Sequence, residues 1–105
     1  MAHEVIYKHP SESLDIAVDF DEDLPDDSGL ATTSSIASTD SAGVAATIAA
    51  KTTSTTSTTM IITLTGGINP EDYNVLAVGV GQTTAKKAVR LLNVRVRNDH
   101  GIGIF

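Results

Sequence analysis

Cysteine and tryptophan are absent from the 105 residues, and Tyr7, Phe20, Tyr73 and Phe105 are the whole aromatic complement. Without thiols there is no disulfide staple, no thiolate metal site and no thiol nucleophile. With so few rings, small aliphatic side chains must fill the core. No apolar run approaches the ~20 residues that cross a bilayer. No charged, apolar, small-residue leader opens the chain, so the expectation is a soluble, unprocessed protein. The length suits one domain, and a domain of this size buries roughly 65% of its unfolded surface.

The formal net charge of −6 conceals an uneven distribution. Residues 1–40 hold ten acids against Lys8 alone, a formal −9, while residues 41–105 hold three acids against six bases, a formal +3. An acidic chain repels phosphate at long range, which argues against nucleic acid as partner. Two readings of the asymmetry stand. It supplies complementary edges within one fold, or the acidic part of one copy faces the basic part of the next.

The run Leu14-Asp15-Ile16-Ala17-Val18-Asp19-Phe20 alternates at every second position, as a strand with one buried face does. Before it, Val5-Ile6-Tyr7 reads as a short edge strand or an arm, closed by Pro10. Asp21 to Gly29 is a loop by composition. A weaker strand is expected from about Leu30 to Ser38, with Ile36 inward, followed by a turn over residues 39–43. Residues 44–51 read as strand more readily than as helix. The eight hydroxyl residues from Thr52 to Thr59 are expected to start as a loop and continue as the strand ending at Leu64. Gly66-Gly67 closes that strand. Tyr73 opens another, apolar on both faces from Val75 and so expected to be covered on both sides. The last strand runs to Arg97, with a helix over 84–92 as the lesser alternative.

Strands separated by turn signals predict an all-β protein, an antiparallel immunoglobulin-like β-sandwich of about six to eight short strands. The expected organisation is an N-terminal arm (1–13), the sandwich (14–97) and a C-terminal tail (98–105). The expected core is Leu14, Ile16, Val18, Ile36, Ile48, Met60, Ile62, Leu64, Tyr73, Val75, Leu92, Val94 and Val96. Tyr73 occupies the place of a tyrosine corner.

Catalytic and ligand motifs are weak. A hydroxyl nucleophile needs a base held in reach by a third group, and His3, His9 and His100 lie near the chain ends. Asp19, Asp21 and Asp23 match the first ligand spacings of a calcium loop, but Leu24 and Leu30 stand where glycine and glutamate belong. His3 and His9 are roughly 20 Å apart on an extended segment, too far for one metal. Gly79 to Thr84 lacks the phosphate-loop lysine and reads as a hairpin turn. The expectation is therefore no enzyme, no cofactor and no metal. Apolar surplus points elsewhere. Met60-Ile61-Ile62, residues 75–80, and Ile102, Ile104 and Phe105 exceed what one small core uses; such surplus is read first as contact with another chain, and otherwise as a locally covered core strand with a frayed tail. The candidate interaction residues are Val5, Tyr7, Asp21, Asp23, Asp26, Asp27, Lys86, Lys87, Arg90, Arg95, Arg97, Ile102, Ile104 and Phe105.

In the order of its segments the chain resembles a family of small bacteriophage virion proteins, the fiber-tail adaptors or neck-and-tail proteins. The resemblance rests on Leu14 to Phe20, Asp26-Asp27-Ser28-Gly29, Thr52 to Leu64, Gly66-Gly67, Tyr73-Asn74-Val75 and Arg90 to Arg97, spanning residues 14–97. It is a likeness of order and composition. It departs at Thr83-Thr84-Ala85-Lys86-Lys87, where the family often has a Gly-Arg-type turn. The resemblance implies an immunoglobulin-like sandwich carried in several copies on the neck or tail of a virion. Its partners would be copies of itself in a ring and connector, tail or fiber proteins, without nucleic acid or membrane. A capsid decoration protein and a surface- or carbohydrate-binding β-module are the alternatives; the scarcity of rings weighs against the last.

Overall fold

The computed structural model describes residues 2–97, with the backbone alone for Ala2 and His3. The described chain forms seven strands: β1 (Ala2–Lys8), β2 (Leu14–Asp19), β3 (Ser35–Thr39), β4 (Ala49–Thr53), β5 (Thr59–Leu64), β6 (Asp72–Val80) and β7 (Lys87–Val96). They make a four-stranded sheet ordered β1-β7-β6-β3 and a three-stranded sheet ordered β2-β5-β4. The second reproduces the B-E-D order of immunoglobulin domains, and β7-β6-β3 reproduces G-F-C. The fold is an all-β sandwich, as expected.

One pairing departs from the antiparallel expectation. β1 runs parallel to β7, from Ala2 opposite Arg90 to Lys8 opposite Val96. The segment read as an edge strand or an arm is thus an edge strand over residues 2–8. Its inward register also buries Lys8 completely. The Lys8 ammonium donates to the carbonyls of Gly66 (2.6 Å) and His9 (2.8 Å), which stitches β1 to the β5–β6 connection. Burial lowers its pKa below the ordinary 10.5, with Glu12 opposing that shift. Its charge therefore opposes folding at neutral pH, and stability gains as pH rises from the folded value toward 10.5.

Alternation builds the core. Val18, Met60, Ile62, Leu64, Tyr73, Val75, Leu92, Val94 and Val96 meet between the sheets with Ile48, while Leu14, Ile16 and Ile36 pack at the margin half-buried. Phe20, Leu24 and Leu30 join them, fully enclosed. Tyr73 is a tyrosine corner: its hydroxyl accepts the Ile68 amide at 3.1 Å, five residues upstream at the entry to β6. Gly67, at φ +97°, lies under Val96, so a side chain there would strike the valine.

Several boundaries differ from the sequence reading. Leu30 makes only an isolated bridge to Gly81, and β3 begins at Ser35. Residues 44–48 are not strand, because this stretch carries the chain from one sheet to the other. The Asp40 carboxylate fixes the turn by accepting the amides of Ala42 and Val44, and Ser38 exchanges hydrogen bonds with Ala46. β4 consequently falls later, using Thr52 and Thr53, and the hydroxyl-rich loop shrinks to residues 54–58. No helix forms over 84–92. Ala85 instead takes φ 60° within the β6–β7 turn.

Candidate functional site

The β6–β7 turn is organised by one buried carboxylate. Asp27 accepts the amides of Thr83 (2.7 Å) and Thr84 (3.0 Å) and the Thr84 hydroxyl (2.7 Å). Gly81 leaves the space for it, since a Cβ there would collide with the carboxylate. The Thr84 hydroxyl, then the Thr84 amide, hold the Asp27 pKa below its ordinary 3.8, against the pull of desolvation. Asp27 is a fold-building residue. Because the folded pKa is depressed, its contribution is present above the unfolded value and is lost as pH falls through the folded one. Asp27→Asn is expected to lower the urea midpoint at about pH 7 and to flatten the acid limb of stability against pH, compared with the parent. An unchanged acid limb would remove this role.

Part of the acidic–basic complementarity is also consumed inside the chain. Asp23 forms an ion pair with Arg90, whose guanidinium lies 5.2 Å from the centre of the Phe20 ring. Arg97 pairs with Asp72 at 2.9 Å. Asp21 receives a long contact from the Thr58 hydroxyl at 3.4 Å, and the Asp19 carboxylate accepts the Asp21 amide. These residues border an open polar depression of about 340 Å³ with Asp27 and Thr56. Among the described residues, no group of three or more His, Asp or Glu side chains could hold a metal ion. Asp26, Lys86 and Lys87 are exposed around the same end.

Sequence reading missed a serine–histidine contact. The Ser11 hydroxyl lies in hydrogen-bond contact with His9 Nδ1 at 2.8 Å, and the Ser11 amide donates to the same nitrogen at 3.1 Å. Both contacts are exposed and two residues apart, so they describe a turn. Neither supplies the third group that orients a catalytic base.

The remaining feature is the outward face of the four-stranded sheet. Register places Leu91, Leu76 and Ala37 in one row across β7, β6 and β3, with Val89, Val78 and Ser35 in the next. Val5 stands beside Asn93, and Tyr7 beside Arg95. The expectation that β6 is covered on both sides fails: Leu76 is 38% exposed, and Val5 and Tyr7 are each 46% exposed. Arg95 donates to the Tyr7 hydroxyl at 3.1 Å and to Asn93 at 3.0 Å, making a polar margin along β7. Ile102, Ile104 and Phe105 lie outside the described residues.

No family model matches the chain, and the search of curated proteins finds no match. The geometry of the two sheet faces carries the functional argument.

Proposed function

We propose that this chain is a structural assembly module, an immunoglobulin-like adaptor that mounts in several copies on the neck or tail of a bacteriophage particle. There it would dock fibers or neighbouring connector and tail proteins, working by shape and not by catalysis. The observation that carries the assembly reading is the part-exposed apolar row centred on Leu76, lying outside a core that is already complete without it. The setting in a virion rests on the resemblance of segment order across residues 14–97. A glycan-binding module is less well supported. Tyr7 is the exposed ring among the described residues and is engaged by Arg95, whereas Phe20 and Tyr73 are buried.

Cryo-EM of intact particles carrying the protein tests this reading. The expected result is a seven-stranded sandwich repeated around the neck or tail axis. Density on the shell faces would make it a decoration protein instead, and absence from the particle would overturn the virion reading.

A further inference from the structure

We infer that copies of this chain associate back to front, the outward face of the four-stranded sheet of one copy lying on the outward face of the three-stranded sheet of the next. This inference rests on the assembly reading above and specifies its geometry.

The two faces differ in sign. On the four-stranded sheet, Lys87 and Arg95 point outward with the apolar rows, and the one outward carboxylate at its register positions, Asp72, is held by Arg97. The three-stranded sheet turns Asp15, Ala17 and Asp19 outward from β2, Thr59, Ile61 and Thr63 from β5, and Ala50 and Thr52 from β4. That face bears two carboxylates and no cation. Its other side chains are small or β-branched, which leaves it flat enough to receive the Leu76 row.

Like faces would bring like charges together. Two four-stranded faces would oppose Lys87 and Arg95 to their own copies, and two three-stranded faces would oppose Asp15 and Asp19. Unlike faces pair apolar surface with apolar or methyl-bearing surface and cations with carboxylates, which favours encounter and fixes orientation. A contact between two different patches is heterologous, and repeating it closes a ring or extends a filament.

Distances limit how the charges meet. Asp15 and Asp19 are four residues apart on one strand, roughly 14 Å, and Lys87 and Arg95 are eight apart, roughly 27 Å. The match is one of fields, without a fixed set of ion pairs. Reversing one charge is therefore a weak test, and reversing a whole face is a strong one. The three-stranded face spans roughly 14 by 20 Å of backbone. That footprint, about 280 Å² a side, is smaller than the roughly 800 Å² per partner of a standard interface, so each contact is weak and transient and depends on concentration.

The test uses the full chain and two charge-reversed variants, followed by sedimentation velocity. One carries Asp15→Lys with Asp19→Lys, the other Lys87→Glu with Arg95→Glu. Each alone is expected to raise the concentration of half-assembly at least about tenfold, because its two faces now share a sign. An equimolar mixture is expected to restore assembly with both variants alternating, since each interface again joins opposite charges. Restoration also shows that both variants are folded. If either variant proves unfolded by circular dichroism, the milder pair Asp19→Lys and Lys87→Glu, both at exposed positions, takes its place; each then only neutralises its face, so a smaller rise of a few-fold is expected alone, again with recovery on mixing. Two outcomes overturn the inference and leave the assembly reading standing: undiminished assembly of the Asp15/Asp19 variant alone, or no recovery on mixing folded variants. A parent chain that never associates would overturn both.

Discussion

A Gly29→Ala chain is expected to melt roughly 10–20 °C below the parent, the shift that about 3 kcal/mol produces in a domain of this size. Gly29 sits where the loop after β2 crosses the hydroxyl-rich loop between β4 and β5. A Cβ at this position would press into the main chain of Thr55, lying 2.7 Å from its Cα and closer still to its carbonyl. Backbone cannot swing aside as a side-chain tip can, so two loops would have to separate. Hydrogen bonds on both sides hold them: the Leu30 amide donates to Ser54 (2.8 Å), and the Gln82 amide donates to Gly29 (3.0 Å). Overpacking costs of about 1–3 kcal/mol assume that the surroundings can adjust. Here the obstacle is backbone, which sets the expectation at the upper end or above. Differential scanning calorimetry reads the shift directly. A melting temperature within about 2 °C of the parent would mean that the two loops do not cross this closely.

Truncating the ring of Phe20 is expected to cost about 3–5 kcal/mol, the range seen when a buried phenylalanine becomes alanine. Phe20 has no exposed surface, and it lies at the point where β2 turns sharply so that the Leu24 amide can donate back to its carbonyl at 2.9 Å. Its ring lies against Gly79 on β6, close enough that a Cβ on Gly79 would stand 2.8 Å from a ring carbon. The two positions are therefore coupled. Gly79→Ala alone should destabilise, because it drives the ring out of place. In the Phe20→Ala chain the same substitution should be close to neutral or should stabilise, since the added methyl enters the space left behind. A double-mutant cycle in urea measures this sign change. Simple additivity would show that ring and glycine do not touch.

The positions of these two residues mark how far alternation alone can be followed. Phe20 continues the inward parity of Leu14, Ile16 and Val18, yet the acidic loop that follows makes it look like the end of a strand. Leu24 and Leu30 lie in loop sequence. They are buried because that loop folds back over the open end of the sandwich, a long-range packing event with no local periodicity. The thirteen residues expected in the core all reach it, three of them at its margin, because period-two alternation records burial directly.

The misplacement of β4 has a different cause. Val44, Ala46, Ile48 and Ala50 alternate well enough for a strand, but the chain must change sheets there, and Asp40 and Ser38 satisfy its backbone instead of a neighbouring strand. Lys8 was legible only as an isolated cation among acids. Its burial follows from β1 lying parallel to β7, and a parallel pairing leaves no hairpin signal in sequence.

Among the candidate site residues, the charged ones divided according to geometry that spacing does not encode. Asp23, Asp27, Arg90 and Arg97 are used within the fold, whereas Lys87 and Arg95 remain outward with Val5 and Tyr7. Composition located the acidic and basic halves of the chain. Only the strand order and register place Asp15 and Asp19 on one outer face and Lys87 and Arg95 on the other.

Sedimentation velocity of the intact chain, from about 1 µM to about 1 mM at low salt, addresses the assembly reading most directly. The account predicts a weight-average mass that climbs with concentration above the 10.9 kDa of one chain and falls back when salt is raised. A single 10.9 kDa species at every concentration, indifferent to salt, would contradict it.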